Sequence, residues 1–217
     1  MNTMAPAAKI IELRQILTQR FPPQPSAPAT FIPTGLSHFD QTLGGGLLRG
    51  AITQLVAPLP SSGSTLVLNE IIHALQQRAL LVAFVDGANC FEPLVTTDYF
   101  LWVRCRRVAE AVKATDLLLR DGNIPITILD LKQNRGAELR KIPGQTWYRL
   151  QRLTEETQTT LFLLTRHPIA TCAGITLNVH SALVLDDLST LSSDLIASLP
   201  FQVRRRKLFR EPMYAEA

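Results

Sequence analysis

Pro58, Ser61, Ser62, Gly63, Ser64 and Thr65 lie in the stretch P-L-P-S-S-G-S-T, which has the spacing of a phosphate-binding loop without its charge. A working loop of this kind reads G-x-x-x-x-G-K-[ST]. Its backbone N–H groups cradle phosphates, its lysine reaches the β and γ oxygens, and its hydroxyl holds Mg²⁺. Gly63 and Thr65 stand where that pattern needs them. The first glycine position is Pro58, which has no N–H and a fixed φ, and the lysine position is Ser64. A cation about 4 Å from a phosphate charge is worth roughly 4 kcal/mol at an effective dielectric near 20. Its loss from the loop removes on the order of three decades of nucleotide affinity.

Two carboxylates complete the set of residues with chemistry to offer. Asp86 and Asp130 each close an apolar run, VAFVD and ITILD. Asp130 is placed to hold Mg²⁺ through water or, more plainly, to cap the turn that follows a strand. Ser64 and Thr65 can receive an anion at a helix N-terminus or serve as its N-cap. The expected cofactor is therefore none, with weak ATP or anion binding left open.

The elements that must position these groups alternate between strand and helix. Ile52 to Ala57 reads as a strand leading into the loop, and Ser64 to Arg78 as a helix with Leu66, Leu68, Ile71, Ile72 and Leu75. Strands follow at 79–86, 100–103, 124–130 and 160–165, with helices at 107–121 and 144–157. Runs such as ALLVAFVD and TLFLLT are apolar throughout, as strands buried on both faces are. The expected fold is α/β, a mostly parallel twisted sheet with helices on both faces. Thr176 to Asp186 and Pro200 to Phe209 read as late strands, antiparallel neighbours at one sheet edge. Before this core, Ile10, Leu13 and Leu17 repeat at helical spacing and a proline-rich stretch follows. The expected organisation is an N-terminal helix and linker over 1–30, a core domain over 31–210 and a short tail over 211–217.

The bulk numbers suit one globular domain: 217 residues, 46% hydrophobic, 18% charged, net charge +4. No apolar run reaches the roughly 18 residues that span a membrane, and the first residues lack a signal-peptide pattern. Cys90, Cys105 and Cys172 have no metal-ligand spacing and read as reduced thiols of a cytoplasmic protein. His73 reads as a core or boundary residue of its helix and His167 as a loop residue. Arg204, Arg205, Arg206 and Lys207 form a basic cluster near the C-terminus. Such a cluster can bind a phosphate backbone or guard a strand edge against aggregation; with no interleaved aromatics, protein contact or edge protection is the favoured reading.

Taken in order, these motifs resemble the RecA recombinase superfamily. The segment Ile32-Pro33-Thr34-Gly35-Leu36-Ser37-His38-Phe39-Asp40, then Leu43-Gly44-Gly45-Gly46-Leu47-Leu48-Arg49-Gly50, is similar to the glycine-rich approach to that family's phosphate loop. The Ser-Ser-Gly loop, the Asp86 strand, the Asp130 strand and the Thr160 strand follow in the same order. Within the superfamily, Leu101 to Arg106, Ala109 to Asp121 and Thr146 to Leu150 resemble the ImuA group of translesion-synthesis accessory proteins. The resemblance implies a RecA-like core in which Asp130 is the Walker B-like aspartate. The water-polarising acid of active members falls at Ala88, whose methyl can neither accept a proton nor orient water.

It also implies DNA-binding loops at 131–142 and 166–174, both short here, with no glutamine at Arg166 or His167 for nucleotide sensing. The implied partners are an ImuB-like Y-family polymerase homologue, a DnaE2-type polymerase and RecA itself. Ile10, Leu13, Leu17 and the 204–207 cluster are the candidate contacts. The expectation is a non-catalytic accessory protein of damage-induced DNA synthesis. The alternatives are a SulA-like cell-division inhibitor that binds FtsZ, and a weak ATP-binding regulator in which Arg104 or a neighbour's arginine replaces the loop lysine.

Overall fold

The computed structural model describes residues 30–93 and 97–206, with nothing said of the side chain of residue 188. The candidate contacts Ile10, Leu13, Leu17 and Lys207 lie outside the described residues, as do the N-terminal helix and the C-terminal tail. The described residues form one compact unit.

A small hairpin opens it: β1 (Phe31–Ile32) pairs antiparallel with β2 (Leu47–Leu48), with helix α1 (Ser37–Leu43) between them. Asp40 holds this turn together, accepting from the N–H and Oγ1 of Thr34 and from the N–H of Gly35. The main body then runs β3 (Ala51–Val56), α2 (Ser64–Gln77), β4 (Val82–Asp86), β5 (Phe100–Arg104), α3 (Val108–Asp121), β6 (Ile126–Asp130), α4 (Gly136–Leu139) and α5 (Gly144–Thr157). It ends with β7 (Thr160–Thr165), β8 (Ile175–Val179), a 3₁₀ turn (Leu185–Ser189), α6 (Ser192–Ser198) and β9 (Phe201–Arg206).

Seven strands make one sheet in the order β5-β4-β6-β7-β3-β8-β9, parallel except for β9, which runs antiparallel to β8. The expected doubly covered parallel sheet is present, with the antiparallel pair at one edge. Period-two alternation sends successive side chains to opposite faces. Phe162 and Leu164 of β7 join Ile126 and Ile128 beneath α2, packed with Leu68, Ile71 and Leu75. Leu161 and Leu163 face the other way, toward Trp147, Leu150 and Leu153 of α5 and Ala111 and Leu119 of α3. β3, buried at every position, sits between β7 and β8. Gln151 of α5 fixes its start, accepting from the Ile52 N–H at 3.0 Å and donating to the Gly50 carbonyl at 3.2 Å.

Three sequence expectations need correction. The run from Thr176 to Asp186 is not one strand: β8 ends at Val179, and the chain then turns back over the loop at Ser61, whose carbonyl accepts from the Leu183 N–H at 2.9 Å. A strand prolonged there would lose that contact and the seat of Leu183 against Gly63. Next, the sequence reading assigns no element to α1, the 3₁₀ turn or α6, which span seven, five and seven residues, well short of the window over which an apolar stripe identifies a helix. Lastly, His73 is exposed, because Ile71, Ile72 and Leu75 take the buried stripe of α2 and leave position 73 on the outer face. Among the described residues no helix is long and apolar enough to cross a membrane.

Candidate phosphate-loop site

The loop between β3 and α2 spans residues 57–63. Gly63, at the N-cap of α2, takes φ +75, a left-handed conformation open to glycine at little cost. A Cβ there would also come within 3.0 Å of both δ-methyls of Leu199. The loop is closed by its own hydroxyls: the Ser62 N–H donates to the Leu59 carbonyl at 3.3 Å, and Ser62 Oγ donates to Ser64 Oγ at 3.1 Å. Ser62, Gly63 and Ser64 are buried, whereas Ser61 and Thr65 are exposed and Pro58 is half-buried.

The cation missing from the loop arrives from another element. Lys132, two residues beyond β6, is 6% exposed. Its side chain turns inward across the end of β7, so that Nζ stands 3.1 Å from Ser64 Oγ and 3.3 Å from Thr65 Oγ1. The same ammonium lies 3.6 Å from Asp130 Oδ2, and the Lys132 N–H donates to Asp130 Oδ1 at 2.9 Å. Asp130 is itself buried. Desolvation pushes its carboxyl above the ordinary carboxylate range; the Lys132 ammonium and N–H pull the other way, and the neighbouring Asp86 adds to the rise. Asp86 and Asp130 are paired in register at the ends of the adjacent strands β4 and β6.

Sequence reasoning missed Lys132 because it lies in a segment read as a nucleic-acid loop. The available signal was its place two residues after the Asp130 strand, in a fold whose β3 and β6 are separated by one strand only.

Asp86 is occupied otherwise. Its Oδ1 accepts from the Ala88 N–H at 3.2 Å and its Oδ2 from the Phe91 N–H at 2.8 Å, so it caps the turn after β4. Ala88 brings no acid to that turn. The nearby Cys90 thiol is pushed up, by burial first and then by Asp86 and Asp130, which disfavours the thiolate a nucleophile needs.

The remaining basic candidates sit elsewhere. Arg104 is on edge strand β5, four strand spacings or about 19 Å from β3. It donates to Asn89 Oδ1 at 2.5 Å and lies over the Trp102 ring, 4.9 Å from its centroid. It cannot replace the loop lysine, and that expectation is withdrawn. On β9, Arg205 donates to the Ala173 carbonyl and Arg206 to the Thr42 carbonyl, both at 3.0 Å, so two members of the basic cluster fasten the edge strand. Arg204 lines a shallow cavity with Pro168 and Thr171. The segments after β6 and β7 are tied to each other by Arg166 donating to Gln133 Oε1 at 2.8 Å, and α4 orders the first of them.

Above the loop, a cavity of about 780 Å³ is lined by Pro60, Gly63, Leu66, Leu183, Val184 and Leu185. Val184 and Leu185 of this lining are 59% and 84% exposed, beside Ser61, Thr65 and Asp186; Leu191, just before α6, is 72% exposed.

No family model matches this chain. Among curated proteins it is similar to the protein RecA of Clavibacter michiganensis, 33% identical over 111 residues, which covers 48% of the chain and 30% of that protein. The RecA of Acidothermus cellulolyticus is also 33% identical over 111 residues, covering 48% of the chain and 32% of the relative. That of Streptomyces avermitilis is 31% identical over 114 residues, covering 49% and 30%. The chain thus spans about a third of the length of the curated relatives it matches. The likeness and the parallel sheet agree on a RecA-like superfamily core.

A magnesium nucleotide, which that superfamily implies, does not fit the residues present. Pro58 takes an N–H from the cradle, Ser64 supplies a hydroxyl for an ammonium, and the space between Thr65 and Asp130 holds the Lys132 Nζ.

Proposed function

We propose that this RecA-like chain is a non-catalytic accessory protein of damage-induced translesion DNA synthesis, acting by binding an ImuB-like polymerase homologue. A DnaE2-type polymerase and RecA are further proposed members of the assembly. The observation that carries the reading is the geometry around Ser64: the loop keeps its glycine, while its side chains are spent on one another and on Lys132. Asp86 is likewise spent on backbone N–H groups, and Ala88 offers no base. General-base help is worth about 10²–10⁴-fold in rate, and Ala88 withholds it.

A protein-binding role draws support from the exposed apolar side chains of Val184 and Leu185 at that cavity and of Leu191 before α6, since exposed apolar surface can mark a contact site.

The test is isothermal titration of the full chain with ATP and Mg²⁺, alongside a phosphate-release assay. No heat and no release are expected; micromolar binding with turnover would end the non-catalytic reading. Capture of the ImuB-like protein on the immobilised chain checks the partner. Inhibition of FtsZ assembly in a pelleting assay, with no such capture, would point to a SulA-like inhibitor instead.

A further inference from the structure

Lys132 has the surroundings of a metal ion. An ammonium carries three N–H donors, and three oxygens face this one: Ser64 Oγ at 3.1 Å, Thr65 Oγ1 at 3.3 Å and Asp130 Oδ2 at 3.6 Å. Two hydroxyls and a carboxylate form an all-oxygen donor set of the type hard divalent cations take. Such a cation would need its oxygens at about 2.0–2.6 Å, in the volume Nζ already fills. The residue is 6% exposed, and its backbone N–H holds the other oxygen of Asp130. The strand end and the loop are therefore joined by one residue through both its main chain and its side chain.

We propose that Lys132 is a built-in cation that takes the place of a divalent metal, compensating Asp130 and holding the phosphate-type loop to the end of β6 with neither metal nor nucleotide bound. The site is thereby a closed structural joint. This deepens the non-catalytic reading and rests on it, but the two can fail separately. One monovalent ammonium, tethered and permanently present, replaces a metal that would have to be recruited from solution. The loop keeps its shape under conditions in which a metal-dependent loop would open. The hydroxyl at position 64 belongs to the same arrangement, because a lysine there would set a second ammonium against Lys132.

The experiment uses the full chain and Mn²⁺ as the probe. Electron paramagnetic resonance should detect no bound Mn²⁺ in the wild type, and Lys132→Ala should gain affinity by about tenfold or more. That gain should vanish in the double variant K132A/D130N. Thermal melting supplies the second readout. Lys132→Met leaves Asp130 buried without its cation and should lower the melting temperature on the order of 10 °C, while K132M/D130N, which removes both charges, should recover most of the loss. Mn²⁺ binding by the wild type that D130N abolishes would overturn the proposal. So would a K132M variant that melts with the wild type, or a double variant that does not recover. ATP turnover by a wild-type chain that still excludes Mn²⁺ would sink the non-catalytic reading and leave Lys132 in its place.

Discussion

At the scale of single residues, the proposed loss of nucleotide chemistry rests on where each polar atom is spent. Ser64 Oγ accepts from Ser62 and from Lys132, and Asp86 accepts from the turn behind it. Asp130 carries a burial cost that shows in its titration. Its pKa is raised, chiefly by desolvation, so the folded chain holds a proton that the unfolded chain releases near the ordinary carboxylate value of about 4. Asp130's contribution to stability is complete below that value and is lost as pH rises through the elevated one. Urea unfolding from pH 4 upward should show this as a falling stability, with a slope of up to about 1.4 kcal/mol per pH unit. Asp130→Asn should flatten it. Identical slopes in the two proteins would mean that Asp130 titrates as an ordinary carboxylate.

At the scale of elements, the sequence was read most securely where periodicity is long. α5 runs from Gly144 to Thr157 and β7 from Thr160 to Thr165, the bounds their patterns predict. Legibility fails where short segments fold onto others. The stretch after Val179 looked like continued strand because Leu183, Val184 and Leu185 are apolar, yet their partners are the loop and solvent rather than a neighbouring strand. Lys132 was illegible for a related reason: its meaning depends on β6 and β3 lying two spacings apart, which is a property of strand order and not of local spacing.

The junction of β4 and β6 shows how tightly this end of the sheet is built. The Gly87 N–H donates to the Asp130 carbonyl at 3.0 Å, and its own carbonyl accepts from Asn134 Nδ2 at 2.7 Å. A Cβ at Gly87 would meet Asn134 Oδ1 at 2.6 Å and the Asp130 carbonyl and a Leu131 methyl at 2.7 Å. Gly87→Ala should therefore cost about 1–3 kcal/mol, as overpacking does, and lower the melting temperature by several degrees. An unchanged melting curve would show that the turn can yield.

At the scale of the whole molecule, the two faces of the sheet divide the work. One face carries α2 and α6 and, beside them, the loop and its cavity; the other carries α3 and α5. If the first face is the partner surface, Leu185→Glu together with Leu191→Glu should cut capture of the ImuB-like protein about tenfold or more, since a carboxylate buried unpaired in an apolar contact carries a heavy desolvation cost. Both side chains are largely solvent-exposed in the described residues, so the melting temperature should stay within about a degree or two of wild type. Leu117→Glu is the matched control: Leu117 is 58% exposed on α3, on the other face. Capture that survives the paired change on the loop side but fails with Leu117→Glu would move the interface to α3 and α5. There a further cavity of about 530 Å³ is lined by Val112, Ile142, Lys113 and Lys141 among others. That result would separate the partner surface from the loop before α2.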